Sequence, residues 1–329
     1  MQAPVALIIF NRPDLTEQVF DRIARVKPSR LFVIADGPRA DRPGDAEKCA
    51  VAREIVERVD WDCEVRKNYS DVNLGCGYRP ASGLSWVFEQ VEQPIILEDD
   101  VLPDLTFFRF CEELLERFSD DERVMHISEN NYQSGRKRGR YSYFFSRWSV
   151  CTGGWATWRR AWHYFDMEIK LWPALRETSW MLDIVEEKEL EESWKKTFDR
   201  AFAGITSSGV PGRLDYWDYQ WTFALWAQSG LCILSNKTMV SNVGYREDGT
   251  HTRSPNSWAD LPTKAMAFPL HHSPSVIRNR EADHYFVEMG LQRRRQAVPS
   301  LYGRIVNELS PFFPLTVRQT LSRLRSMLV

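Results

Sequence analysis

Nowhere in its 329 residues does the chain carry the roughly 20 consecutive apolar residues that a membrane-spanning helix requires, so any membrane association is expected to be peripheral. No basic n-region or cleavage site accompanies the first apolar stretch, Val5 to Phe10, which is too short for a signal segment and reads as a core strand. Cysteine is scarce and scattered. Cys49, Cys63, Cys76, Cys111, Cys151 and Cys232 form no CxxC pair and no Cys/His spacing suited to structural zinc, and they read as reduced thiols. These absences together lead to an expectation of a cytoplasmic protein. An excess of one charge sign is also missing: the formal net charge of -2 leaves no basic field for a phosphate backbone, which argues against a nucleic-acid partner. Neither GxGxxG nor GxxxxGK[ST] follows an early strand, which argues against a nicotinamide dehydrogenase and a P-loop NTPase. Internal repeats and low-complexity segments are absent as well.

Hydrophobic content of 43% and charged content of 27%, with 17 Gly and 17 Pro, fall near the averages of folded soluble proteins. The length suits one large domain with a tail. Apolar runs alternate with amphipathic segments through the first third: Val5 to Phe10, Leu15 to Val26, Leu31 to Ala35 and Ala46 to Val59. Such alternation predicts parallel βαβ units and an α/β fold. A helix over 81–91 leads to the apolar run Pro94-Ile95-Ile96-Leu97, which ends abruptly in Glu98-Asp99-Asp100. Ligands bind outside the carboxyl ends of strands in open α/β sheets, so the tips after Phe10, Ala35 and Leu97 are expected to converge on one crevice.

A helix over 107–118 and a strand over 124–128 follow, then Ser134-Gly135-Arg136-Lys137-Arg138-Gly139-Arg140, a basic loop expected on the surface as a solvated hairpin tip or a phosphate-attracting flap. Between Cys151 and Trp226 the chain is rich in Trp, which serves more often as core than as a sugar platform. Near the C-terminus Val317, Leu321, Leu324 and Leu328 recur at helical spacing beside Arg318, Arg323 and Arg325. That basic amphipathic pattern suits either an anionic membrane surface or docking on protein.

Three acids directly after a buried strand suit a divalent cation, since Mg²⁺ or Mn²⁺ needs only one or two protein carboxylates, with phosphate oxygens and water completing its shell. Such a cation can neutralise a departing diphosphate. The segment from Ile96 to Phe108 (Ile96-Leu97-Glu98-Asp99-Asp100-Val101-Leu102-Pro103-Asp104-Leu105-Thr106-Phe107-Phe108) resembles the metal-site segment of the N-acetylglucosaminyltransferase I-like and family 2-like glycosyltransferases. Further motifs extend the resemblance in order over residues 4 to 252.

The resemblance implies a GT-A fold, Rossmann-like with a mostly parallel central sheet flanked by helices and a C-terminal helical extension. It divides the chain into a transferase domain over 1–252, an extension over 253–310 packing on it, and the basic helix over 311–329. It implies Asn11 and Arg12 near the nucleotide diphosphate and Asp36 reading the base, where a helix-start turn and a simple turn residue are the competing readings. Asn73-Leu74-Gly75-Cys76-Gly77-Tyr78-Arg79 is similar to the Asn/Gly-rich stretch ahead of the metal site, placing Asn73 and Arg79 at the donor. Asp100 becomes the metal ligand, with Glu98 and Asp99 near the ribose and the hydrated cation. Gly153-Gly154-Trp155 corresponds to the loop approaching the donor sugar. Asp215-Tyr216-Trp217-Asp218 resembles the segment bearing the general base of inverting members, with Asp218 or Asp215 in that role, or as a helix N-cap. His251, in Gly249-Thr250-His251-Thr252, falls where many such enzymes place a histidine that reaches the metal or diphosphate, a structural histidine being the competing reading.

The expected activity is a Mn²⁺- or Mg²⁺-dependent inverting transfer from a nucleoside diphosphate sugar, UDP-linked by resemblance, to a glycan or glycolipid hydroxyl. A sugar nucleotidyltransferase and a non-catalytic carbohydrate-binding or scaffold protein are the alternatives. The former lacks here its glycine-rich, Arg/Lys-bearing loop after strand one; the latter would bind sugar without metal or turnover.

Overall fold

A computed structural model describes residues 1–128, 131, 133–149, 154–246 and 261–297. Five apolar residues without a polar break suit a strand covered on both faces, and β1 (Val5–Ile9) is buried at every position. In α1 (Pro13–Val26) Pro13 takes the first turn, where its missing N–H leaves no helical bond unmade. Leu15, Val19 and Ile23 recur every four residues and turn one stripe inward, burial of each contributing roughly 1.5–3 kcal/mol. The helix stops at Lys27, left-handed at φ 48°, whose N–H donates to the Ile23 carbonyl at 3.0 Å.

The unit repeats through β2 (Arg30–Ala35), α2 (Asp45–Ile55) and β3 (Glu64–Tyr69). After α3 (Gly75–Phe88), β4 (Ile95–Glu98) joins the opposite side of β1. The order β3-β2-β1-β4 is parallel throughout and reverses direction of growth at β1, a topological switch point that leaves a crevice at the strand tips.

β5 (Val101–Pro103) and α4 (Leu105–Arg117) follow, the helix capped by the Asp104 carboxylate accepting from the Thr106 N–H at 2.9 Å. Then come β6 (Val124–Ser128), β7 (Tyr143–Ser146) and β8 (Trp155–Ala156). Short helices α5 (Arg159–Trp162), α6 (Trp172–Leu175) and α7 (Trp180–Val185) precede α8 (Lys188–Phe202) and α9 (Asp218–Ala227). β9 (Leu231–Ser235), β10 (Val240–Asn242) and α10 (Arg280–Ala297) complete the described elements. Among the described residues the main sheet has eight strands in the order β3-β2-β1-β4-β8-β6-β9-β7, with β8 antiparallel to both β4 and β6. β10 pairs antiparallel with β5, bringing Asn242 opposite Val101 and hence beside the acidic triplet. The fold is thus α/β, with a large, mostly parallel sheet flanked by helices.

The chain divides into a compact unit, Met1–Asp283, and a second beginning at His284. Within the first, the Met266 N–H donates to Thr106 Oγ1 at 2.8 Å and Tyr143 Oη meets His272 Nδ1 at 3.1 Å. The basic helix expected over 311–329 lies outside the described residues. No described helix is long and apolar enough to cross a membrane.

Two expectations change. The helix read over 81–91 starts at Gly75 and ends at Phe88, so Gly75 to Arg79 of the Asn/Gly-rich stretch form its first turns. The basic segment at 134–140 is not wholly solvated: Arg138 is buried, its Nε donating to Gln133 Oε1 at 2.8 Å and its guanidinium pairing with Glu281. The aromatic cluster is core, with Trp155 stacked against His126 and Trp217 at centroid separations of 5.2 and 5.6 Å.

Candidate active site

The strand tips of β1, β2 and β4 open on a cavity of about 530 Å³. Asn11, Arg12, Asp36, Asn73, Arg79, Glu98, Asp99, Asp100, Asp215 and Asp218 all line it. Parallel pairing of β1 with both β2 and β4 brings Asn11-Arg12, Asp36 and the triplet together.

Arg12, on the turn between β1 and α1, joins its guanidinium to Asp99 and, at 2.9 Å, to Asp100 Oδ2. The Phe10 N–H donates to Asp99 Oδ2 at 3.2 Å. Burial pushes the Asp99 carboxyl up against the opposing pull of Arg12, to about 6. Glu98 is pushed up further, to about 8, by burial and then by Asp100 and Asp99, with Asp218 adding to the repulsion. Asp218 therefore acts on Glu98 from the other wall.

Asp100 Oδ1 is buried without a hydrogen-bond partner. A carboxylate oxygen left in that state is suited to a hard cation. Among the described residues no group of three His, Cys, Asp or Glu is arranged to hold an ion. The fit also requires Gly244. A Cβ there would lie 2.0 Å from Asp100 Oδ2, so only glycine lets the loop after β10 close over the carboxylate.

The opposite wall reaches the crevice through a second close approach. A Cβ on Gly77 would lie 2.3 Å from the Leu214 carbonyl oxygen, and Cys76 Sγ donates to the Asp215 carbonyl at 3.1 Å, so the first turn of α3 seats the 214–218 segment. Asp215 accepts from the Ser207 N–H at 2.7 Å and from the Ser207 hydroxyl. Asp218 opens α9 as its first residue.

Several predicted residues have different surroundings from those the resemblance implies. Asp36 lines the cavity, but its Oδ1 accepts from the Gly37 and Leu74 N–H groups at 2.9 and 2.7 Å, and its Oδ2 from the Gly75 N–H and Asn73 Nδ2 at 2.8 and 3.0 Å. Four donors thus meet the Asp36 carboxylate and tie it to the entry of α3. Asn73 also donates to the Gly37 carbonyl at 2.8 Å, joining the same network. Arg79 is buried and gives Nε to the Ala35 carbonyl at 3.1 Å and Nη2 to Asn68 Oδ1 at 2.7 Å, tying strand tips together. Gly154 and Trp155 do not line the cavity: Trp155 is a fully buried β8 residue, and Gly154 packs against Leu97 and Phe107. Gly153 and His251 lie outside the described residues.

Sequence reasoning missed Arg39, Asp45, Ser207 and Gly244. Arg39 stands three residues after Asp36 in the same strand-tip turn, which is the one local signal that pointed to it.

No family model matches the chain, and no curated protein matches it. Among solved structures it is similar to a mannosyltransferase from Pyrobaculum calidifontis in complex with GDP-Man and Mn²⁺, at 16% identity and a TM-score of 0.34, over 50% of this chain and 46% of that one. Mouse xyloside xylosyltransferase 1 in its apo form matches at 10% identity and a TM-score of 0.34, over 69% and 84% of the two chains. A UDP-glucose pyrophosphorylase complexed with UDP-glucose matches at 9% identity and a TM-score of 0.32, over 50% and 79%. The chain spans less than half the length of the mannosyltransferase.

Proposed function

We propose that the protein is a glycosyltransferase that moves a sugar from a nucleoside diphosphate sugar to a hydroxyl acceptor, with a divalent cation at Asp100. One observation carries this reading: a single crevice at the sheet's switch point holds strand-tip acids on one wall and the separate carboxylates of Asp215 and Asp218 on the other. Asp100 and Glu98 would hold Mn²⁺ or Mg²⁺, which would supply the positive charge that a departing diphosphate needs.

The chain's own groups do the rest. Arg12 orients Asp99 and Asp100 by pairing with both. Asp218 serves as general base, accepting the acceptor's hydroxyl proton as that oxygen attacks the anomeric carbon from the face opposite the diphosphate, which inverts the configuration. Asp215 suits this role less, since Ser207 engages both of its oxygens. The tip of β1 reads Phe10-Asn11-Arg12-Pro13, without the glycine-rich loop of a sugar nucleotidyltransferase, and its one cation is bound by Asp99 and Asp100. A UDP-linked donor and a glycan or glycolipid acceptor complete the proposal.

Thermal-shift and calorimetric titration of UDP, GDP and their sugars, with and without Mn²⁺, tests it. Ligand at a hundred times its Kd is expected to stabilise the wild type by about 2.7 kcal/mol, an effect that requires the metal and disappears in Asp100→Ala. Failure of every nucleotide to bind under any metal condition would sink the transferase reading.

A further inference from the structure

The basic loop between β6 and β7 belongs to a charge pattern that the chemistry of the crevice does not use. Residues 133–142, 235–238 and 261–273 contain six Lys or Arg (Arg136, Lys137, Arg138, Arg140, Lys237 and Lys264) and no Asp or Glu, in a chain whose formal net charge is -2. Hydrogen bonds gather the three segments into one neighbourhood. Asn236 stands at its centre. Its Oδ1 accepts from the Arg138 N–H at 2.7 Å, and its Nδ2 donates to the Arg138 and Tyr141 carbonyls at 3.0 and 2.9 Å. The Asn236 N–H donates to the Ser142 carbonyl at 3.0 Å, and the Ser142 N–H to the His271 carbonyl at 2.9 Å. The Lys264 N–H reaches the Thr238 carbonyl at 2.7 Å.

These bonds engage backbone and one amide, so the turns are braced without using the cationic heads. Arg138 turns inward, to Gln133 and Glu281. Lys137, Arg140, Lys237 and Lys264 are exposed and form no ion pair among the described residues. The acids that reach this neighbourhood are engaged elsewhere, Glu281 by Arg138 and Glu113 by His272.

Strand direction fixes which edge of the sheet carries this charge. β8 is antiparallel to both β4 and β6, so β6 runs with β4, and β9 runs with β6. The turns after β6 and β9 therefore leave the same edge as the tips of β1, β2 and β4 that open on the crevice. β6 lies two strands from β4 and β9 three, which places the basic turns about 10–15 Å from the acidic triplet at strand spacings near 4.8 Å. None of the four exposed cations lines the cavity.

Four cations spread over three segments suit a broad negative surface better than a single phosphate group, which is best held by donors converging on one point. Each Lys or Arg brought close to an anionic leaflet strengthens attachment by a factor of about five. The sequence carries a second signal of the same kind in the basic amphipathic spacing of Val317, Leu321, Leu324 and Leu328. Stable attachment takes two such signals, neither being sufficient alone.

We propose that the turns after β6 and β9, together with Lys264, form a docking face for an anionic lipid bilayer, which sets the crevice beside a membrane-borne acceptor. The docking does not depend on the nucleotide-sugar reading; only the use made of it does. Co-sedimentation of the full chain with vesicles of phosphatidylcholine alone, and of phosphatidylcholine with phosphatidylserine, tests it. Two triple variants are compared with wild type: Lys137→Gln/Lys237→Gln/Lys264→Gln on the face, and Lys48→Gln/Lys188→Gln/Lys196→Gln, an equal loss of charge at exposed positions of α2 and α8. Wild type is expected to bind the phosphatidylserine vesicles and not the neutral ones. The face variant should bind them about tenfold or more weakly, and the control variant within about threefold of wild type. Should the face variant fail to fold by circular dichroism, the three single substitutions replace it, each expected to weaken binding about three- to fivefold. Absence of wild-type binding to the anionic vesicles, undiminished binding by the face variant, or equal weakening by both variants overturns the proposal. Tighter binding of wild type to double-stranded RNA than to these vesicles, lost in the same face variant, would assign the face to nucleic acid and overturn the lipid assignment. Metal-dependent nucleotide binding measured on the same samples keeps the two readings apart: its absence in wild type sinks the transferase and leaves the docking face standing.

Discussion

Glu98 sits where burial and the neighbouring carboxylates of Asp100 and Asp99 oppose its ionisation, so in the metal-free protein it holds its proton to about pH 8. In the unfolded chain it titrates near the ordinary glutamate value of about 4.3. Between those values the folded state binds more protons than the unfolded one, so stability falls as pH rises through the window and levels off above it. The slope from this group is at most about 1.4 kcal/mol per pH unit. Urea denaturation of metal-free protein from pH 5 to 8.5 should show that decline in wild type and a flatter profile in Glu98→Gln, which has no proton to lose. Identical profiles would count against the buried acidic cluster. At this scale the sequence was informative where placement was local: an acidic triplet following a buried strand stands at a strand tip, and the turn after β1 carries Arg12 to it. The partners of Asp36 were not legible in it, since Leu74 and Gly75 lie 38 and 39 residues away.

Those long-range bonds make Asp36 the joint between two elements. Its carboxylate secures the turn after β2 to the entry of α3, where Gly75 adopts φ +79°. Asp36→Ala would strand the Gly37, Leu74 and Gly75 N–H groups near the crevice, and a loss of about 2–4 kcal/mol in unfolding free energy is expected. Chemical denaturation measures it directly. A change within about 0.5 kcal/mol would mean that water replaces the carboxylate without penalty. Element boundaries were legible where apolar periodicity was strong, as in α1, β1, β2 and β4. β3 was overlooked because an edge strand needs few apolar residues, and Glu64-Val65-Arg66-Lys67-Asn68-Tyr69 has little to distinguish it from a loop. Two-residue β8 carries too little pattern to be recognised, although it completes the sheet between β4 and β6.

For the chain as a whole, the basic amphipathic pattern near the C-terminus raises the prospect of a peripheral membrane contact, a setting suited to a lipid-linked acceptor. Removing residues 315–329 is expected to abolish co-sedimentation with anionic vesicles while leaving metal-dependent nucleotide binding in place. Unchanged vesicle binding by the truncated chain would remove the basis for the contact. The α/β class, the parallel first half and the approach of three strand tips followed from local composition, because a run that must be buried on both faces has few places to go in a sheet. Which donors each carboxylate meets did not follow from it. Asp36 meets backbone donors, Asp215 meets Ser207, and Asp100 keeps a buried oxygen without a partner beneath Gly244. Hydrogen-bond saturation depends on groups brought close by chain crossings and close packing, and side chains of the same type separated into structural and functional roles only once those neighbours were in place.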